Sequence, residues 1–238
     1  MNLLISESAG ITRITLNRPE RGNLLALDDL RDLAAAVRDA LARDAARAIV
    51  LAAAGTDFCR GRDAPPRAET RPTALQIRAN VIDPILGAYR AIHEAPVPVI
   101  AAVQGAALGF GCAIASACDV VIASDRARFS LPEMHTNLPP TLAISAHLRR
   151  VAPKMTAYLV LSQEEIDAKR AAQTGIVSAV VPHAELEQAV GKLTGTIASR
   201  LPSALRAVKE YLRSAPYMDS RGAADFGGNL LAAVLASQ

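Results

Sequence analysis

Three features of the sequence predict an α/β fold with a C-terminal helical region. The N-terminus alternates like a pair of antiparallel strands. Residues 48–52 and 97–103 are apolar runs separated by helix-patterned segments, and beyond about Pro139 almost every segment has helical texture.

In chain order, residues 3–6 and 11–16 alternate around a turn at Ala9-Gly10, and Asn17-Arg18-Pro19 closes the second run. Asp28 is placed to cap a helix whose apolar positions Leu30, Leu33, Val37 and Leu41 recur at helical spacing. Residues 48–52 (AIVLA) run continuously apolar up to Gly55, as a buried parallel strand does. A loop from Asp57 to Asp63 continues into a charged, proline-rich stretch ending at Pro72. A helix over 73–94 leads to the strand 97–103, so strand, helix and strand repeat as in βαβ units. Gly109-Phe110-Gly111 opens a short helix of small residues to Ala117, and strands are expected at 119–123 and 128–131. Helices follow at 142–149, 154–161, 164–173, 185–200, 203–213 and 219–236, interrupted by one strand-like run at 177–181.

The 238 residues are 51% hydrophobic and 21% charged, enough for a full core, which excludes disorder and collagen-like repeats. Aromatics are only 3% and Trp is absent, so the core is built from Ala, Val, Leu and Ile. A net charge of +3, without an aromatic cluster for base stacking, argues against a nucleic-acid partner but suits a small anionic ligand. Cys59, Cys112 and Cys118 form no CxxC pair, and MNLLISESAG has no basic region before an apolar core. A reduced, cytoplasmic protein without a targeting segment is expected. The longest apolar stretch, 97–107, is broken by Pro98, Gln104 and Gly105 and is too short to span a bilayer, so no membrane partner is expected.

Two strand ends, 58–63 and 104–111, are glycine-rich, as is needed where backbone N–H groups approach a ligand closely; the alternative is that Gly61, Gly105, Gly109 and Gly111 only make turns and close packing. Glu133 follows Pro132 at an apolar strand end, where desolvation raises a carboxylate toward the working range of a general base. His135 stands two residues on and would share its face on a strand, as a second acid/base or orienting group, or else be a surface histidine. No HxxxH or HExxH motif marks a metal site, GxSxG is missing, and no base accompanies a cysteine, so a metal or a thiol nucleophile is not expected.

Six pieces in order carry a resemblance: Leu16-Asn17-Arg18-Pro19 with Asn23; Phe58-Cys59-Arg60-Gly61-Arg62-Asp63; Val103-Gln104-Gly105 through Gly109-Phe110-Gly111-Cys112; Cys118-Asp119; Phe129-Ser130-Leu131-Pro132-Glu133; and Gly175 through Pro182. Together they resemble the crotonase superfamily, the enoyl-CoA hydratase/isomerase family. The resemblance implies a crotonase (ClpP-like) fold of repeated ββα units, with an α/β core over 1–190 and a shortened helical trimerisation region over 191–238. It implies an acyl-CoA substrate, no cofactor beyond that coenzyme A, and a homotrimer or hexamer.

By motif position it assigns an oxyanion hole to the backbone N–H groups of Arg62 and Phe110, and acid/base chemistry to Glu133. Arg21, Asn23, Arg60, Gly61, Asp63, Gly109 and Thr141 complete the expected substrate-binding set; Arg60, Arg62, Arg67 and Arg71, with Arg18 and Arg21, either pair with the CoA phosphates or form only a solvated charged surface. A donor aimed at the thioester oxygen is worth about 3 kcal/mol when that oxygen turns negative. The chain departs from the pattern in three ways: hydratases of the family carry a second glutamate where Ala113 stands, Phe110 replaces a glycine, and Thr141 replaces another. One glutamate suffices to shift a double bond, whereas syn hydration is most easily drawn with two groups. Double-bond isomerisation is therefore favoured, with hydration or a non-catalytic acyl-CoA-binding subunit as alternatives.

Overall fold

The N-terminal alternation forms β1 (Leu3–Ser8) and β2 (Ile11–Leu16), an antiparallel pair with Ser8 opposite Ile11. The structure, a computed structural model, describes residues 2–42, 45–63, 71–148 and 150–237. Helix α1 (Leu27–Leu41) buries Leu30, Leu33 and Val37, about 1.5–3 kcal/mol each, along the stripe expected from their spacing. Its cap is not Asp28: Ala26 takes the cap position, and the Asp29 carboxylate reaches back to accept the Ala26 N–H at 2.8 Å. β3 (Ala48–Ala53) then pairs parallel to β2.

Next come α2 (Ala74–Ile77), a π-type turn (Arg78–Ile82) and α3 (Asp83–Glu94), capped by the Thr73 hydroxyl, which accepts the Gln76 N–H. β4 (Val99–Val103), β5 (Ala106–Leu108) and α4 (Phe110–Ala117) follow, then β6 (Val120–Ser124), β7 (Arg128–Ser130) and a 3-10 turn (Pro132–Thr136). After it run α5 (Thr141–His147), α6 (Pro153–Ser162), β8 (Ile166–Asp167), α7 (Ala168–Thr174), β9 (Ala179–Val181), α8 (Leu186–Ala198), α9 (Pro202–Ser214) and α10 (Ser220–Ala236).

The main sheet has the order β1-β2-β3-β4-β6-β9, and only β1 runs antiparallel to its neighbour. β3 is apolar at every position because both faces are covered. Ile49 and Leu51 face the large core shared with α1, α3 and α4, while Val50 and Ala52 face Leu186 and Val190 of α8. The sequence division at 190 thus falls inside α8, a helix that packs on the sheet from its first turn.

A second sheet, β5-β7-β8, takes its first two strands directly after β4 and β6 in the chain. Two of its strands depart from expectation: β5 lies in the stretch read as a glycine-rich loop, and residues 166–167 pair with β7 where a helix from 164 was expected. The C-terminal hairpin α9–α10 is held by a Tyr211–Phe226 ring stack and by Lys209, which is 4% exposed and pairs with Asp119 at 2.5 Å.

Candidate active site

The loop between β3 and α2 is held on both sides by backbone bonds. On one side the Phe58 and Cys59 N–H groups both donate to the Ala106 carbonyl, and Leu108 N–H donates to Cys59 O at 2.9 Å. On the other, Leu25 N–H donates to Gly61 O and Asp63 N–H to Leu25 O, a parallel bridge centred on Arg62. In such a bridge the central residue's own N–H points away from its partner. The Arg62 N–H therefore faces away from Leu25, and it makes no hydrogen bond among the described residues.

The second donor comes from the start of α4. Gly109 has φ 52 and ψ −118, a conformation open to glycine, and donates its N–H to Ser130 O. The turn presents Phe110 as the first residue of the helix, where an N–H has no intrahelical acceptor, and among the described residues it has none at all. Close approach fixes the two donors relative to each other: a Cβ on Gly111 would lie 2.0 Å from Cys59 O.

Glu133 sits in the 3-10 turn after β7, half-buried, with Oε1 only 3.0 Å from where a Gly109 Cβ would be. Its Oε2 is buried without a hydrogen-bond partner among the described residues. Burial pushes its pKa above the ordinary carboxylate range, against a smaller lowering by its own backbone N–H. This is the desolvated carboxylate that the Pro132-Glu133 context leads one to expect.

The Phe110 side chain finds its room against Tyr89 of α3. The rings stack at 5.5 Å and 15°. Tyr89 is a neighbour of Phe110 that sequence reasoning did not single out, since an aromatic on the inward face of a helix looks like core. It is 8% exposed, and its hydroxyl makes no hydrogen bond among the described residues. Burial raises its pKa, and the Glu133 charge raises it further, followed by Cys112 and Cys59. The phenol and the carboxylate thus feel each other across the site.

Behind α4, His147 Nε2 lies 3.2 Å from Ser116 Oγ and 3.9 Å from Cys112 Sγ, while its Nδ1 is buried without a partner among the described residues. Burial lowers the His147 pKa to about 4 and raises Cys59, Cys112 and Cys118 to about 12. All three thiols are free, buried and protonated at neutral pH.

Several expected residues take other positions. Asn23, expected to bind substrate, is 1% exposed: its carbonyl accepts the Arg18 N–H and its amide donates to Ala54 O and Asp57 O, so it ties the loop and has no face left for a ligand. Asp63 is bound to Arg18 and Arg21 at 3.4 and 3.1 Å, which pins the loop around Arg18 to the 59–63 segment. Arg60 pairs with Asp57 at the surface, and with the half-exposed Arg21 it stands beside that segment. Arg71 is exposed, whereas Arg67 lies outside the described residues. Thr141 is exposed at the start of α5. His135 does not share a face with Glu133, because a 3-10 turn replaces the strand period and leaves it exposed.

Two unspent backbone N–H groups, one from a loop clamped against β5 and one from a helix start, with a desolvated carboxylate lying against Gly109, make up the candidate site of an α/β fold. A model described as enoyl-CoA hydratase/isomerase matches residues 6–231, and the chain belongs to that family. It is 36% identical over 214 residues to the probable enoyl-CoA hydratase of Rhizobium meliloti (89% of this chain, 81% of the relative). It is 34% identical over 213 residues to the 2,3-dehydroadipyl-CoA hydratase of Escherichia coli, with the same coverage of 89% and 81%. Its structure is similar to the crystal structure of an enoyl-CoA hydratase from Mycobacterium smegmatis, with a TM-score of 0.92 at 27% identity over 99% of this chain and 91% of that one.

Proposed function

We propose that the protein transforms an enoyl-CoA thioester through an enolate, with the Arg62 and Phe110 N–H groups receiving the thioester oxygen and Glu133 carrying the proton. The observation that carries this reading is the Glu133 carboxylate lying against Gly109, one residue before a free N–H. In double-bond isomerisation, Glu133 takes a proton from C2 of a 3-enoyl thioester. The C–H pair moves into a dienolate whose oxygen rests on the two N–H groups, and the proton is returned at C4. One carboxylate completes this cycle, and its raised pKa brings it closer to the working pH.

Hydration of a 2-enoyl thioester is the second reading, favoured by the hydratase names of the relatives. Arg60 and Arg21 would meet the phosphates of coenzyme A, which enters only as part of the substrate. The exposed apolar residues Val208, Leu212, Leu231 and Leu235 of α9 and α10 fit burial in a homotrimer or hexamer.

The test is turnover of 3-enoyl-CoA and 2-enoyl-CoA panels by wild type and Glu133→Gln. The substitution is expected to lower kcat by about 10²- to 10⁴-fold. In wild type the rate should fall on the acid side through a pKa above the ordinary carboxylate range, since the ionised form is the base. Full activity of the variant removes Glu133 from the mechanism. Tight acyl-CoA binding by wild type without turnover of any member of the panel would favour a non-catalytic binding subunit.

A further inference from the structure

A cavity of about 210 Å³ opens at the end of the main sheet away from the candidate active site, lined by His93, Asp119, Arg150, Lys209 and Arg213. It lies where β4 and β6 begin, since Asp119 Oδ2 accepts the Val99 N–H at 2.8 Å. The 58–63 loop and Gly109, in contrast, follow the far ends of β3 and β4. Helix α4 runs between the two places: Phe110 starts it, and the Cys118 carbonyl just past its last residue accepts from Arg150 at 2.7 Å. Its eight residues put about 12 Å between them.

Three cations converge here, and two of them have a carboxylate of their own. Lys209, 4% exposed, pairs with Asp119 at 2.5 Å and donates to Ile92 O at 3.4 Å, while Arg213 pairs with Glu210. Arg150 has no carboxylate partner among the described residues: it meets the Cys118 carbonyl, and its second terminal nitrogen lies 3.5 Å from His93 Nδ1. A half-buried guanidinium with five N–H donors and two neutral acceptors has bonding capacity left over. The surplus positive charge is felt by His93, whose pKa is lowered by burial first and then by Arg150, Lys209 and Arg213. Leu148, Leu212 and Pro216 complete the wall, and apolar walls focus the field of the charges set among them.

We propose that this cavity binds a phosphate-sized oxyanion, held by the Arg150 fork together with Lys209 and Arg213, and separate from the acyl-CoA site. A planar guanidinium matches two oxygens of such an anion with parallel N–H bonds. Lys209 and Arg213 belong to α9, whereas Arg150 follows α5 and His93 ends α3, so the anion ties the C-terminal hairpin to the core. None of these residues belongs to the acyl-CoA site described above, and the anion and the thioester bind at the same time.

The experiment titrates inorganic phosphate calorimetrically into the full chain saturated with CoA, at an ionic strength held constant with chloride, for wild type, Arg150→Gln and Arg213→Gln. Saturable binding is expected in wild type, weakened about tenfold in Arg150→Gln and about threefold in Arg213→Gln. Phosphate should also raise the thermal midpoint of wild type more than that of Arg150→Gln, because a ligand of the folded state stabilises it by mass action. Absence of saturable binding by wild type overturns the inference. So does phosphate that binds only when CoA is left out, which places it where the CoA phosphates go. Affinities within about twofold of wild type in both variants overturn it as well. If Arg150→Gln does not fold, the partly exposed Arg213 decides: weakened binding in Arg213→Gln supports the site, and unchanged binding overturns it.

Discussion

Gly111→Ala puts one methyl group at the contact that sets the two donors apart. The added Cβ would lie 2.0 Å from the Cys59 carbonyl oxygen, 2.8 Å from its carbon and 2.9 Å from the Cys59 Cβ. Carbon and carbonyl oxygen settle at about 3.3 Å, so α4 and the 59–62 segment must part by about 1.3 Å. Rotating the carbonyl aside is no escape, because Cys59 O accepts the Leu108 N–H at 2.9 Å and that bond holds the segment to β5. The Phe110 N–H travels with α4 and the Arg62 N–H with the loop, so the distance between donors changes on the same scale. A misplacement of about 1 Å costs on the order of 10²-fold, or about 2.7 kcal/mol in the barrier. The assay is kcat and KM on 2-enoyl-CoA and 3-enoyl-CoA, with thermal unfolding of the same samples. The expected outcome is a hundredfold lower kcat on both substrates, a smaller change in KM, and a loss of about 1–3 kcal/mol from overpacking. A folded variant keeping kcat within roughly threefold of wild type would refute the idea that this contact sets the donor geometry.

Two further outcomes concern stability. Lys209→Met leaves Asp119, among the described residues, with the Val99 N–H at 2.8 Å and no charged partner at 2.5 Å, and should cost about 3–5 kcal/mol in urea unfolding. Adding Asp119→Asn should recover part of that loss, and a single variant as stable as wild type would mean the pair contributes little. His147 is lowered from 6.5 to about 4 in the folded chain, so between those values the unfolded chain binds the extra proton. Its contribution is complete above the unfolded value and is lost as pH falls toward 4, up to about 3 kcal/mol. Unfolding followed between these limits should show stability rising with pH and a flatter slope in His147→Gln. Equal slopes in the two proteins would contradict the assignment.

The parts of this molecule legible in the sequence are those where one period runs long enough to be unmistakable. The alternation of β2, the Leu30-Leu33-Val37 stripe and the all-apolar β3 each name their own environment. β5 and β8 are short strands that exist because β7 lies between them, a long-range condition no local pattern carries. Glu133 was readable because a carboxylate among apolar neighbours after a strand is a local anomaly. His135 is the surface histidine of the two readings, because the strand period stops at Ser130 and a 3-10 turn begins at Pro132. Asn23 looked functional for a reason that is structural: three hydrogen bonds to three separate backbone groups demand one side chain at one place. The Tyr89–Phe110 stack was invisible because the two rings are distant in sequence.

Since the proposed thioester contacts are main-chain N–H groups, the identity of residues 62 and 110 is decoupled from the chemistry they support. An arginine and a phenylalanine can occupy those positions because neither side chain is asked to touch the carbonyl. What is constrained is the space between them, written in Gly109 and Gly111, which carry no side chain at all. Mutational drift can therefore remodel the cavity around the acyl chain while the point of attack stays fixed. Substrate preference and reaction mechanism are free to change on separate schedules.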